Sequence, residues 1–321
     1  MAEQLSGKKR INSKTMQTAL AFSSLVLLII IFSIASPNFM TGYNMVTILL
    51  MTAVNGILAV GITFIIVTGG IDLSTGTVMT FASVMTGVFI TNLGLPVWIG
   101  IIGGILSGAL CGFVNGFTIA KLGLPPFIAT LGMMNVTKGL NLVISGTKPI
   151  YFTDFPVFMA IATKPVFGIP LGVVIFFLVA ILASFILSKT VIGRYTFAIG
   201  SNEEAARLSG ISTSNWKIAI YSLSGAIFGI AGIVMASRLS SAQPALGPGY
   251  EMDAIAAAVI GGASLSGGEG SIFGTIIGAF IITVLTNGLR MLSVPQEWQM
   301  VITGLIVIGA VYMDIARRKI K

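Results

Sequence analysis

Asp72 is the only acidic residue between Glu3 and Asp154, in a stretch that otherwise reads as one apolar run after another. Only 9% of the 321 residues are charged and 55% are hydrophobic, against roughly 25% charged residues in a typical soluble domain. So few charges cannot cover a water-exposed surface. The surplus apolar side chains need an apolar environment, and a lipid bilayer is the one large enough. Within hydrocarbon every backbone N–H and C=O must find a partner inside the protein, which favours helices of about 20 residues. The expectation is an all-α, polytopic membrane protein.

Ten apolar runs can be marked, at 18–35, 44–67, 73–92, 97–120, 127–144, 166–188, 216–236, 251–263, 271–289 and 298–314. About ten helices of this length use some two-thirds of the chain. The remainder suffices for loops and tails, so 1–321 is expected to be a single transmembrane domain. The run at 251–263 is short and reads as a half-helix or re-entrant element. A count of eight crossings would have the same parity. The first run competes with a signal peptide, but it is long for a signal core and Ala35-Ser36-Pro37 is a poor cleavage site, so a retained helix is expected.

The net charge of +8 comes from three clusters. These are Lys8, Lys9, Arg10 and Lys14; Lys189, Arg194, Arg207 and Lys217; and Arg317, Arg318, Lys319 and Lys321. Each flanks long apolar runs, as cytoplasmic loops do under the positive-inside rule. Ten crossings put both tails, Lys121 and the central cluster on the cytoplasmic side. Lys148, Lys164, Arg238 and Arg290 fall outside that pattern. No cluster interleaves aromatics, which argues against nucleic acid. The chain has no histidine, a single cysteine (Cys111) and no GxxxxGK[ST] phosphate loop. A metal site, a histidine base, a bound cofactor and ATP hydrolysis by this chain are therefore not expected, and the chain reads as a non-enzyme.

Gly100, Gly104, Gly108, Gly112 and Gly116 recur every fourth residue, as do Gly270, Gly274 and Gly278. That spacing lines one helix face and lets a neighbouring backbone come close, so both ladders read as packing seams. The segment 69–76, GGIDLSTG, is echoed by 261–268, GGASLSGG. Paired glycine-interrupted segments in two halves of a chain point to a transport pathway. Gly69, Gly70, Gly261 and Gly262 are thus candidates for a pathway or its gate, through either a parallel or an inverted repeat. Asp72 follows the first pair. It either caps the next helix or lines the pathway. Asn55, Asn115, Asn135 and Asn141 punctuate apolar helices, and amides both donate to and accept from hydroxyls or bridge helices. As a set they suit a neutral polyol better than an ion. Lys138 is the one obvious intramembrane base; it either snorkels or faces a water-filled cavity.

The polar stretch 193–217, GRYTFAIGSNEEAARLSGISTSNWK, is longer than a connection requires. It reads as a short cytoplasmic helix capped by Ser201 or Asn202, with Glu203 and Glu204 at its positive end and Gly210 at its stop. Small Ala205 and Ala206 together with Arg207 suit docking into a partner's groove, the alternative being a solvated surface helix.

At this point a resemblance can be named. The motifs TGGIDLSTG (68–76), PPFIATLGMM (125–134), GRYTFAIGSNEEAARLSGI (193–211), ASRLSSAQP (236–244) and GYEMDAIAAAVIGGASLSGG (249–268) together resemble the permease subunits of ribose-type ATP-binding-cassette importers over nearly the whole chain. The resemblance implies a large-permease (type II) importer fold of ten helices and a permease homodimer in the bacterial inner membrane. It implies a cytoplasmic ATPase with two nucleotide-binding cassettes and an extracytoplasmic sugar-binding protein. It makes 202–210, within the segment 189–217, the helix coupled to the ATPase. The implied cargo is a monosaccharide, ribose foremost, with other pentoses, hexoses, inositol or the furanosyl signal autoinducer-2 as alternatives. Glu269 departs from the pattern, in a position where lysine is expected. The competing class is a stand-alone, proton-coupled secondary transporter.

Overall fold

A computed structural model of the protein describes residues 13–319, with side chains for 18–309, 311 and 312. Lys8, Lys9, Arg10 and Lys321 of the basic clusters lie outside the described residues, as do the side chains of Lys14, Arg317, Arg318 and Lys319.

The chain is mostly helical. Helices α1 (Ser13–Ala35), α2 (Gly42–Val67) and α3 (Thr75–Gly87) come first, α3 running on into a π-helical turn, Val88–Asn92. Then follow α4 (Val97–Ala120), α5 (Pro126–Ser145), α6 (Pro156–Thr163), α7 (Leu171–Lys189), α8 (Val191–Ser201) and α9 (Glu203–Leu208). The last four are α10 (Thr213–Leu239), α11 (Tyr250–Ile260), α12 (Ile272–Met291) and α13 (Gln296–Lys319). Among the described residues, seven helices are long and apolar enough to cross a membrane: α1, α2, α4, α5, α7, α10 and α12. The runs at 73–92 and 251–263 form shorter α-helices than that criterion asks for: α3 has 13 residues before its π-helical turn, and α11 has 11 before Gly261.

Two expectations are corrected. The run expected at 166–188 does not begin as helix. Strands β1 (Ile150–Tyr151), β2 (Pro165–Val166), β3 (Ile169–Pro170) and β4 (Ser241–Ala242) are present, and β2 and β3 form a hairpin ahead of α7. Gly168 turns that hairpin at φ +81°, a conformation that costs glycine nothing. Helix α6, which opens with proline in its first turn, was not anticipated; at eight residues it lacks the length of a span. β1 pairs with β4, so the segment between α5 and α7 is tied to the end of α10.

Helix α2 is apolar on every face, and a helix of that kind belongs inside a bundle. Ala53, Ile57, Leu58, Ala59, Val60, Ile62, Phe64, Ile65, Ile66 and Val67 are all fully buried. Polar pairs set its register against α12. Asn44 and Asn287 exchange amide hydrogen bonds of 3.1 and 2.9 Å, and the Thr63 and Thr275 hydroxyls lie 2.8 Å apart. Early residues of α2 thus meet late residues of α12 and the reverse, so the two helices are antiparallel.

The glycine ladder of α4 is a seam. A Cβ at Gly108 would run into the Gly225 carbonyl of α10, and one at Gly112 into the Tyr221 carbonyl; Gly225 and Gly229 face back onto α4. The second ladder places Gly274 and Gly278 against the backbones of Gly261 and Ala257.

The two glycine-pair segments meet. Each ends a helix, with Gly69 at φ +80° and Gly262 at φ +96°, positive values that suit glycine. The Gly268 N–H donates to the Val67 carbonyl at 2.9 Å, and Gly69 lies beside Ser266 and Gly267. The ends of α2 and α11 therefore lie together, near α8 and α9, since Gly200 also abuts Val67 and Gly268. This will be called the α9 end of the bundle.

Candidate functional site

Asp72 lies at the α9 end in a closed polar network. It is 1% exposed. Its Oδ1 accepts from the Ser74 N–H (2.7 Å) and the Ser74 hydroxyl (2.6 Å), and its Oδ2 accepts from the Asn115 amide at 3.5 Å. Asn115 also donates to Ser74 Oγ at 3.0 Å. The carboxylate thus joins the first turn of α3 to α4, close to the glycine seam. Helix α5 adds to this wall. Thr130 accepts from the Leu73 N–H, Thr137 donates to Thr77, and the Asn141 amide donates to the Thr77 carbonyl.

The other face of α5 is different. Asn135 and Lys138 are exposed, and among the described residues the Asn135 side chain bonds within its own helix, to the Leu131 carbonyl. The fold does not bring them to Asp72. Gly69, Gly70, Gly261 and Gly262 gather at the α9 end, while Asn55 sits at the middle of α2.

The polar loop folds as two helices where one was expected. Asn202 is the cap, its Oδ1 accepting from the Ala205 N–H at 2.9 Å, and Ser201 is the last residue of α8. Gly210, at φ +84°, ends the turn. Ala206 is buried against its own chain, at 5% exposed, whereas Leu208 is 79% exposed. The outward face of α9 is therefore Glu204, Ala205, Arg207 and Leu208. Leu208 was not anticipated from sequence; an exposed leucine beside a buried alanine shows only once the helix phase is known. Arg207 pairs with Glu204 at 2.8 Å and Lys217 with Glu203 at 2.6 Å.

At the end opposite α9 the bundle opens into a cavity of about 860 Å³ between α2, α10, α11, α12 and α13. Asn55, Arg238, Tyr250, Asp253, Arg290 and Gln299 supply polar groups to it, and Met51, Leu246 and Met300 are among its apolar lining. Asn55 is 8% exposed and lines the cavity. Arg238 and Arg290, which broke the charge pattern of the sequence, both lie here.

A family model described as the permease component of branched-chain amino acid transport systems matches residues 44–311. The ribose import permease protein RbsC of Bacillus subtilis is 43% identical over 96% of both chains. The chain belongs to this permease family. The L-arabinose transport system permease protein AraH of Escherichia coli is 40% identical over 89% of this permease and 86% of its own length. A solved structure described as an inward-facing conformation of a metal-chelate type ABC transporter covers 93% of this permease and 99% of its own chain, with a TM-score of 0.53 at 15% identity. At that identity the likeness concerns the fold alone.

Proposed function

We propose that this permease is the membrane channel of an ATP-driven importer for a monosaccharide, ribose foremost. The observation that carries the reading is the 43% identity to a ribose import permease across 96% of each chain. The absence of a phosphate loop from the sequence is consistent with an ATPase on a partner chain with two nucleotide-binding cassettes, and in this reading an extracytoplasmic binding protein delivers the sugar. The finer architecture is the ten-helix, large-permease fold: the seven long spans together with α3 and its π-turn, α11 and α13. The direction of α2, α11 and α12 fits this count. So does the gathering of Lys189, Arg194, Arg207 and Lys217 in or beside α7–α10 at the α9 end, which supports a cytoplasmic placement of that end. Both termini belong to the same side.

In this reading α9 is the coupling helix, through its Glu204–Leu208 face. The exposed Asn135 and Lys138 of α5 support a homodimer, because a lysine left against lipid in mid-helix is costly and a second copy or a shared aqueous path removes that cost. The glycine breaks at 69–70 and 261–262, with Asp72 and Asn115 behind the first, form the gate region. A proton-coupled transporter has less support: Asp72 is bonded to Ser74 and Asn115, with no basic partner among its hydrogen bonds. The test is assembly. Co-expressed with its ATPase, the permease purifies as a stable complex whose ATP hydrolysis rises on adding the ribose-loaded binding protein. A permease that purifies alone and drives ribose uptake on a proton gradient contradicts the proposal.

A further inference from the structure

We propose that the cavity between α2, α10, α11, α12 and α13 is a monosaccharide-binding site contained within a single permease chain. The inference rests on the cargo class proposed above and adds where, and by which groups, the sugar is held.

The first support is a side-chain amide turned to the cavity. Asn55 is 8% exposed and lines the cavity, yet no described residue hydrogen-bonds its side chain. Its amide is therefore turned to the cavity, where a ligand or water can meet both its donor and its acceptor. The second support is the chemistry of the wall. Asp253 only accepts hydrogen bonds, Arg238 and Arg290 only donate, and Asn55 and Gln299 do both. Gln299 already donates to the Val294 carbonyl at 2.8 Å, which turns its other polar atom, Oε1, into an available acceptor. A sugar hydroxyl donates once and accepts twice, so a ring of hydroxyls can satisfy all of these groups together. An acyl chain would leave them unpaired, and an inorganic anion would meet Asp253. The phenol of Tyr250 adds an aromatic wall and a hydroxyl. A cavity of about 860 Å³ falls within the usual range of small-molecule sites, roughly 300–1,000 Å³.

The place in the fold fits a delivery point. The cavity lies at the end opposite α9, where α10 and α12 end and α11 and α13 begin. Arg238 and Arg290 cannot serve as cytoplasmic topology signals there, so their positions need another reason.

The test uses the purified permease with a single reporter, Met300→Cys, in the cavity wall; the native Cys111 is buried. Modification by a thiosulfonate reagent is followed with D-ribose, L-arabinose, D-fructose or L-leucine present. Trp298→Cys, which does not line the cavity, is the control. Protection scales as 1 + [L]/Kd, so sugar at about four times Kd slows labelling of Met300→Cys about fivefold. L-leucine gives no protection, the control is unaffected, and adding Asn55→Leu to the reporter abolishes the protection. Equal labelling with and without sugar, protection by leucine, or protection that survives Asn55→Leu each overturn the proposal. The outcome is separable from the importer reading. Protection in a protein whose assembled complex imports no sugar would refute that reading alone, and unprotected labelling in a complex that imports ribose would refute this inference alone.

Discussion

Helix α10 takes part in two regions of opposite character. Its middle, at Gly225 and Gly229, closes on α4 so tightly that no side chain fits between them. Its end, at Met235, Arg238 and Leu239, opens into the large cavity. Each region has a polar cluster beside it. At the closed region Asp72, Ser74 and Asn115 bond one another. At the open region Asn55 lines the cavity. The difference teaches that a lone carboxylate in an apolar sequence is a poor guide by itself. At the first cluster the acceptor oxygens of the carboxylate are met within the protein, whereas at the second the polar groups line the cavity.

The largest effect is expected at the closed seam. Gly112→Leu forces the α4 and α10 backbones apart at the Tyr221 carbonyl, at a cost of about 3 kcal/mol, the upper end for overpacking. The measurement is the yield of monodisperse protein in detergent, expected to collapse. A normal yield would mean that the seam yields as readily as the cavity.

Next comes the contrast between the two polar clusters. Asp72→Leu strands the Ser74 N–H and hydroxyl without their acceptor, costing about 2–3 kcal/mol, while Asn115 keeps Ser74 Oγ. Asp72→Asn keeps one acceptor oxygen and is milder. Asn55→Leu removes an amide that no described residue hydrogen-bonds, so it is neutral or slightly stabilising. Thermal melting of the three variants decides this. Equal destabilisation by Asp72→Leu and Asn55→Leu would erase the distinction between closed and open clusters.

Much of the scaffold was legible because its causes are local. Apolar runs bounded by glycine, proline and charges became helices within a few residues of the expected limits, and the four-residue glycine spacing became the α4–α10 seam. The GGxxLSxG echo was visible as well, although that its two copies touch needed the fold. The cavity was not legible. Asn55, Arg238, Asp253, Arg290 and Gln299 come from five helices, so no spacing along the chain reports their proximity. The one available signal was that Arg238 and Arg290 violate the charge pattern. The β2–β3 hairpin and α6 escaped because neither has the length on which the apolar-run argument depends. On α9 the sequence suggested Ala206 as a contact residue; one turn of helix phase buries it and presents Leu208.

That phase leads to a smaller prediction. Leu208→Ser leaves the permease folded and weakens its complex with the ATPase. Burying a leucine contributes about 1.5–3 kcal/mol, so affinity should fall roughly tenfold or more, read by titrating purified ATPase onto permease in detergent. Unchanged affinity would make α9 a solvated surface turn, and only the opposite end of the bundle would then have a ligand-facing role.

Uptake is the most direct measure of the central claim. The permease is reconstituted into vesicles with its ATPase, with ATP inside and D-ribose and its binding protein outside. The account predicts accumulation that requires ATP, the binding protein and this permease, and that continues when the proton gradient is dissipated. Accumulation that needs no binding protein and stops with the proton gradient, or no sugar accumulation in a fully assembled and ATP-hydrolysing complex, would contradict it.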